Sequence, residues 1–163
     1  MKFSDRKAFD DELDTLLRKA ESLIPDQILP DLPYMEHAPN AHEWYSFEQE
    51  LWQIGEEIRQ LAAENNKKFH ADQVERIVGI CLDKRAKRGR QSFVMLLGRK
   101  MYCVYASSIV PVLEDPDVDG HVIDTLYKMC AGQYIELVEP FLNHNTTWIR
   151  NRAKNYVHKF MQC

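Results

Sequence analysis

The sequence predicts an all-α protein assembled from helical hairpins, and three observations lead to that class. Apolar residues recur at spacings of three and four along most of the 163-residue chain, which is the period of an amphipathic helix. Two passages, VPVLEDPDVDGHVIDTLYKM (110–129) and EPFLNHNTTWIRNRAKNYV (139–157), repeat one pattern about 30 residues apart, as helical repeat proteins do. A hydrophobic content of 45% with 28% charged residues fits a globular chain that buries a core.

Residues 1–66 are predicted to form two helices joined by a stiff connection. The first helix carries one apolar stripe, formed by Phe9, Leu13, Leu16, Leu17, Ala20 and Leu23. Four prolines keep residues 25–39 extended, because a proline disfavours the helical conformation of the residue before it. Asn40 and Glu43 have the spacing of a capping box, which predicts that the second helix begins there. The stripe of this second helix consists of Trp44, Phe47, Leu51, Ile54, Ile58 and Leu61.

Residues 70–163 are predicted to form three helical hairpins of 29–32 residues. In the second hairpin YCVYASSIVPVL is answered by HVIDTLYKMC, and in the third YIELVEPFL is answered by WIRNRAKNYVHKF. The first hairpin pairs an amphipathic helix around Ile77 with FVMLLG; alternatively, one helix runs from residue 90 to residue 113 through Gly98. A hairpin of this length cannot bury its apolar stripe alone, so stacking of successive hairpins is expected.

The breaks in these hairpins carry a resemblance to a known family. Pro111 and Pro140 each stand near the end of an apolar helix, and the breaks read Leu-Glu-Asp-Pro-Asp and Leu-Asn-His-Asn. With Trp-Ile-Arg-Asn-Arg-Ala after the second break, residues 70–163 resemble the HEAT repeats of α-solenoids. The resemblance implies a single domain folded as a short right-handed α-α superhelix, with kinked first helices and residues 1–66 as an N-terminal cap.

The HEAT resemblance also implies that an acidic turn and an arginine tie neighbouring repeats together. The residues that match these positions are Asp115, Asp117 and Arg150, and Arg90 is the nearest match in the first copy. His121 stands where the family usually has arginine, and the first copy has no late proline. The resemblance does not extend to residues 1–66.

The sequence carries no pattern of catalytic or metal-binding residues. The four cysteines are scattered without a CxxC pair, and at least three are expected to be reduced core residues. No histidine follows HEWYS (42–46) at the spacing of a zinc helix, and neither a glycine-rich phosphate loop nor a GxSxG motif occurs. We therefore expect no enzymatic activity, no cofactor and no metal. The charged N-terminus and the lack of a long apolar window predict a cytoplasmic protein without a membrane segment.

Charge is unevenly distributed along the chain, although the net charge is only −4. Residues 1–66 hold 15 Asp and Glu against 6 Lys and Arg, a net charge of −9, whereas residues 67–163 carry +5. Aromatic side chains beside carboxylates suit a basic protein partner, because rings supply contact area and carboxylates steer association. The predicted partner-binding residues are Glu43, Tyr45, Glu50, Trp52, Glu56 and Glu57. This pattern predicts a small adaptor or inhibitor, such as an immunity or antitoxin protein that neutralises a basic, nuclease-like toxin.

Nucleic-acid binding is the alternative that the basic residues favour, since clustered cations attract phosphates with a salt-dependent affinity. The residues of this alternative are Lys84, Arg85, Lys87, Arg88 and Arg90 in the segment KRAKRGR, and Arg150, Lys154 and His158 in the last helix. The row in the last helix also suits a polar end cap of a solenoid. For Trp52, the structural alternative is packing against the first helix or the proline-rich connection. A structural subunit of a homo-oligomer is the third class of function.

Overall fold

The computed structural model describes the backbone of residues 3–162 and the side chains of residues 5–162. Eight α-helices and one two-stranded ribbon form this described part of the chain. The helices are α1 (Phe3–Leu23), α2 (Ser46–Asn65), α3 (Ala71–Leu82), α4 (Gln91–Leu96), α5 (Ala106–Ile109), α6 (Asp119–Met129), α7 (Ile135–Val138) and α8 (Thr147–Met161). The ribbon pairs β1 (Tyr34–Met35) with β2 (Ala38–His42). The predicted all-α class is confirmed, with the short ribbon added to it.

The chain divides into two compact units, residues 1–93 and residues 94–163, and the division falls inside α4. The expected organisation, one domain with a cap and three hairpins, stays a prediction. In the first unit α1 contacts both α2 and α3. The buried apolar residues of these three helices are Phe9, Leu13, Leu17, Ala20, Leu51, Ile54, Ile58, Val74, Ile77, Ile80 and Cys81. Helical periodicity therefore selected most of this core correctly.

The connection between α1 and α2 reverses direction instead of running extended. In the antiparallel ribbon Met35 lies opposite Ala38, and residues 36–37 form the turn. Prolines exclude a helix here, but an edge strand tolerates them because it need not donate every backbone N–H. The predicted stiff linker over residues 25–39 is therefore wrong in its second half.

The helix α2 begins later than the sequence predicts. Asn40 lies in β2, and the residue before the helix is Tyr45, whose backbone N–H donates to the Glu48 carboxylate at 2.8 Å. Glu48 thus performs the capping role that was predicted for Glu43, again three residues after the cap. Trp44 precedes the helix, so its predicted place at the start of the helical stripe is wrong.

The second unit contains α6 and α8, which were predicted as the second helices of two C-terminal hairpins and which contact each other. Their buried residues include Val122, Leu126, Met129, Ile149, Ala153 and Val157. The first halves of these hairpins are short helices, α5 and α7, that pass into 3-10 turns at residues 110–112 and 139–143. Pro111 and Pro140 lie near the start of these turns, where a missing backbone N–H ends an α-helix.

Two further expectations are wrong. Helix α4 ends at Leu96 and residue 98 is not helical, so no single helix runs from residue 90 to residue 113. Cys81 is buried as expected, but Cys103 and Cys130 are exposed, and Cys163 lies outside the described residues. Cys130 stands at the left-handed end of α6, with φ of 59°, where the chain leaves the apolar face of the helix. Within residues 3–162, no helix has both the length and the apolarity of a membrane span.

Candidate protein-interaction site

The segment KRAKRGR forms a 3-10 turn at Lys84–Arg90 that directs three of its cations inward. Lys87, Arg88 and Arg90 are buried, with Arg90 fully inaccessible. The Lys87 ammonium donates to the Asp31 carboxylate at 2.7 Å and to the backbone oxygen of Leu29 at 3.1 Å. The hydrogen bond from Lys87 holds the pKa of the Asp31 carboxyl below its usual value. This turn therefore holds the proline-rich connection against the rest of the first unit.

The next residue of the turn, Arg88, binds both the ribbon and α2. Its backbone N–H donates to the buried Glu48 carboxylate at 2.9 Å, and its guanidinium Nη1 donates to the backbone oxygen of His42 at 2.7 Å. The guanidinium also lies over the ring of Trp44, 5.7 Å from the centroid. Glu48 accepts from the Tyr45 and Arg88 backbones at once, which satisfies a carboxylate that is 0% exposed.

Two other residues show how tightly this turn is packed. Arg90 Nε donates to the backbone oxygen of Lys87 at 2.8 Å. A side chain at Gly89 would bring its Cβ within 2.9 Å of the backbone oxygen of Glu48, so only glycine allows this approach to α2. Lys87 itself has φ of 49° and ψ of −134°, a conformation that L residues rarely adopt.

The five cations were predicted to form one basic surface, and they do not form it. Only Lys84 and Arg85 of that set are exposed. The Arg85 guanidinium is bound to the Asp83 carboxylate at 2.7 and 2.9 Å, and this hydrogen bond lowers the pKa of Asp83. The basic turn is a structural junction between elements of the first unit.

The acidic residues predicted to bind a partner fall into two groups on α2. Glu50 and Glu57 are exposed, and no described cation lies within ion-pair distance of either. Trp52 lies between them in sequence and is half-buried. Glu56, also half-buried, accepts from Arg59 Nε at 3.0 Å. Glu50 and Glu57, two turns apart, therefore share one side of α2 without an ion-pair partner among the described residues, whereas Trp52 lies on another side of the helix.

Tyr45 and Glu43 precede α2 and differ in their surroundings. The Tyr45 hydroxyl donates to the backbone oxygen of Pro30 at 2.6 Å, and this hydrogen bond ties the Tyr45 side chain to the proline-rich connection. Glu43 is exposed, and its backbone N–H donates to the backbone oxygen of Pro33 at 2.8 Å, which extends the ribbon by one hydrogen bond. Its carboxylate has no ion-pair partner among the described residues.

An open groove of about 550 Å³ lies where the ribbon meets the start of α2. Its lining residues are Met35, Glu43, Trp44 and Gln49. The sequence prediction contained only Glu43, because Trp44 was placed on the apolar stripe of a helix. The signal that could have found the groove is the pair Glu43-Trp44, a carboxylate beside an indole directly after a proline-containing strand.

The opposite charges of the two parts of the sequence partly compensate each other inside the first unit. On α3, Arg76 bridges two carboxylates of α1, binding Asp14 at 2.7 Å and Glu21 at 2.9 Å. Residues 1–93 contain 18 Asp and Glu against 14 Lys and Arg, a net charge of −4, and residues 94–163 contain 7 of each. The acidic N-terminal helices are thus matched by the basic stretch that follows them. The first unit therefore keeps a modest net negative charge of −4.

The basic row on α8 is divided between structural and exposed side chains. The Arg150 guanidinium donates to the backbone oxygens of His144 and Asn145 at 2.7 and 3.0 Å, and so closes the loop before its own helix. Lys154 and His158 are exposed. Within the described part of the chain, Lys154 and His158 have no partner, whereas Arg150 is engaged by the loop before α8.

No group of three His, Cys, Asp or Glu side chains within the described residues is arranged to hold a metal ion. Comparison of the chain with protein-family models, with curated proteins and with solved structures gives no match. The candidate site consequently stands on geometry and charge alone: the free carboxylates of α2, Trp52, and the groove at Trp44.

Proposed function

We propose that the chain is a non-enzymatic binding module that recognises a basic protein through one surface of α2, the acidic face, defined by Glu50 and Glu57. The observation that carries this proposal is the fate of the charges in the first unit. Lys87 is buried on Asp31, and Arg76 is paired with α1, whereas Glu50 and Glu57 have no ion-pair partner among the described residues.

The helix α2 presents both carboxylates and an indole, on different sides, and protein recognition uses both kinds of group. Free carboxylates raise the rate of encounter with a positively charged surface, and they hold its orientation. A half-buried indole offers a rigid contact area whose ordering on binding costs little conformational entropy. Tyr45 and Glu56 have partners inside the first unit, since the first is bound to Pro30 and the second to Arg59.

The HEAT-like superhelix and the role of a small inhibitor belong to the same proposal. The repeated pattern of residues 110–129 and 139–157, together with the contact between α6 and α8, supports a solenoid-like order of hairpins. Such a chain serves as a preformed surface, which keeps the cost of association low. Its concrete role is that of an immunity or antitoxin protein in the cytoplasm that neutralises a basic, nuclease-like toxin.

Site-specific photo-crosslinking in native cells tests the proposal. Gln53 lies on α2 three residues after Glu50 and four before Glu57, and replacing it with p-benzoylphenylalanine keeps every carboxylate of the acidic face. Gln133 is an exposed glutamine in the second unit and is the matched control. We expect the probe at position 53, and not that at position 133, to capture a protein with a basic isoelectric point, and added salt to reduce the yield.

Three results would count against this function. Capture of nucleic acid alone at position 53 would favour the phosphate-binding alternative. Crosslinks between copies of this chain and to nothing else would favour a homo-oligomer subunit. Equal capture at both positions would show that the acidic face has no special role.

A further inference from the structure

We infer that the groove formed by Met35, Glu43, Trp44 and Gln49 receives one arginine side chain of the basic partner. This inference rests on the proposed function and names the point at which the partner is anchored. The groove is separate from the carboxylates of the acidic face, because Glu50 and Glu57 do not line it.

The indole that forms one wall of the groove is held in place before any ligand arrives. The Arg88 guanidinium lies over the Trp44 ring at 5.7 Å, and that guanidinium is fixed by its hydrogen bond to the backbone oxygen of His42. The Arg88 backbone is fixed in turn by Glu48. A wall that is already ordered loses little conformational entropy when a ligand binds.

The charge of the groove favours a cation, because Glu43 is the one acidic residue, and no basic residue occurs, among the described residues that line it. Close to it, the buried guanidinium of Arg88 and the buried carboxylate of Glu48 carry opposite charges, as do Lys87 and Asp31. These neighbours therefore add no net charge to the region. The Glu43 carboxylate is exposed and has no ion-pair partner among the described residues, so it is available to a ligand.

The chemistry of the lining distinguishes arginine from lysine. A planar guanidinium can stack on an indole while two of its N–H groups bind one carboxylate, whereas an ammonium is a point charge that is more strongly hydrated. Met35 offers a flexible apolar surface for the methylene stem, and the Gln49 amide oxygen can accept from a remaining N–H. A volume of about 550 Å³ that opens to solvent admits one long side chain from the surface of another protein.

The test is an NMR titration of the full chain with tri-arginine amide, followed through the indole N–H signals of Trp44 and Trp52. Tri-lysine amide and tri-citrulline amide are the matched probes, because citrulline keeps the shape of arginine without its charge. We expect a saturating shift of the Trp44 signal with the arginine peptide and weaker responses with the other two. Glu43→Gln is expected to raise the Kd at least about tenfold, since a charge-assisted bidentate pair is lost.

Glu57→Gln is the control, because it removes an exposed carboxylate that lies outside the groove. An equal loss of affinity in Glu43→Gln and Glu57→Gln would show diffuse attraction to the acidic surface and overturn the inference. A saturating shift of Trp44 with a single-stranded oligonucleotide, and none with tri-arginine, would also overturn it.

The partner captured at position 53 separates this inference from the proposed function. If Glu43→Gln leaves capture unchanged while Glu50→Lys with Glu57→Lys abolishes it, the acidic face stands and the groove inference falls. If Trp44 responds to tri-arginine as described but no basic protein is captured, the groove binds the guanidinium and the proposed function falls.

Discussion

Some single residues of the first unit are charged although they lie in buried positions, where apolar side chains are the rule. A buried charge is costly unless hydrogen bonds replace its water. Glu48 meets this condition by accepting from two backbone N–H groups, and Arg90 by donating to the backbone oxygens of Lys87 and Cys81. The same tight packing makes small changes at the contacts of α2 expensive.

Gly55 provides the test of that packing. A Cβ at this position would lie 2.0 Å from Ser92 Oγ and 2.6 Å from Ser92 Cβ, so Gly55→Ala forces α2 and α4 to shift. We expect the substitution to lower the free energy of unfolding by about 1–3 kcal/mol, which outweighs the higher helix propensity of alanine. Urea denaturation measures the difference.

Gly79 is the matched control for Gly55. It lies within α3, and a Cβ there would meet no atom within 4 Å. Gly79→Ala is therefore expected to stabilise the protein by about 0.5–1 kcal/mol through helix propensity alone. If both alanine variants were stabilised, the close approach of α2 to Ser92 would not exist in solution.

The connection between α1 and α2 depends on contacts from distant parts of the chain. Its residues 29–31 are held by the Lys87 ammonium, which binds Leu29 and Asp31, and by the Tyr45 hydroxyl, which binds Pro30. These bonds join segments that are 15 to 58 residues apart in sequence. The connection is thus fixed by tertiary contacts and not by its prolines alone.

This anchoring predicts a pH dependence of stability. The hydrogen bond from Lys87 lowers the pKa of Asp31, so the folded state releases the proton more readily than the unfolded state does. The resulting stabilisation is present above the unfolded pKa of about 3.9 and is lost as the pH falls through the folded pKa. We expect Asp31→Asn to be less stable than the native chain in urea at neutral pH, and the two to converge below that range.

Glu36→Gln is the control for Asp31→Asn. Glu36 is an exposed carboxyl in the turn of the ribbon and has no ion-pair partner among the described residues. Its variant is expected to follow the native chain at every pH. A constant difference between Asp31→Asn and the native chain down to low pH would contradict the role given to the Lys87 bond.

The elements also show which features a sequence can predict. The apolar stripes of α1 and α2 followed from helical periodicity, because Leu13, Leu17, Leu51 and Ile58 face a core that any amphipathic helix must have. The start of α2 did not follow, because Tyr45 is not a residue type that ordinarily caps a helix, and Asn40 is taken up by a ribbon that the sequence did not predict. The burial of Lys87 was also beyond the sequence, because lysine is ordinarily exposed and its partner Asp31 is 56 residues away.

At the scale of the whole molecule, the charge of the compact units differs from the charge of the sequence segments. A linear count gives −9 for residues 1–66 and +5 for residues 67–163, which predicts two opposed surfaces. The compact units instead carry −4 and 0, because the basic residues 67–93 belong to the same unit as the acidic residues 1–66. The sequence therefore predicted the negative charge of the candidate site, from the acidic residues of α2, but it predicted neither the extent of the site nor the groove.

With a net charge of this size, we expect the position of a charge to matter more than the total charge in association with the proposed basic partner. Glu50→Lys with Glu57→Lys brings the net charge of the chain from −4 to 0, and so does Glu12→Lys with Glu75→Lys, on α1 and α3. All four glutamates are exposed and lack ion-pair partners among the described residues, so both variants should fold like the native chain.

Stopped-flow association with the captured partner at several salt concentrations compares the two charge variants. The pair on α2 is expected to slow association by about tenfold or more at low salt and to flatten its salt dependence, because steering acts over roughly 10 Å at 0.1 M ionic strength. The pair on α1 and α3 should keep most of the native rate. Equal slowing by the two variants would mean that the partner responds to net charge, and that the acidic face of α2 is not where it docks.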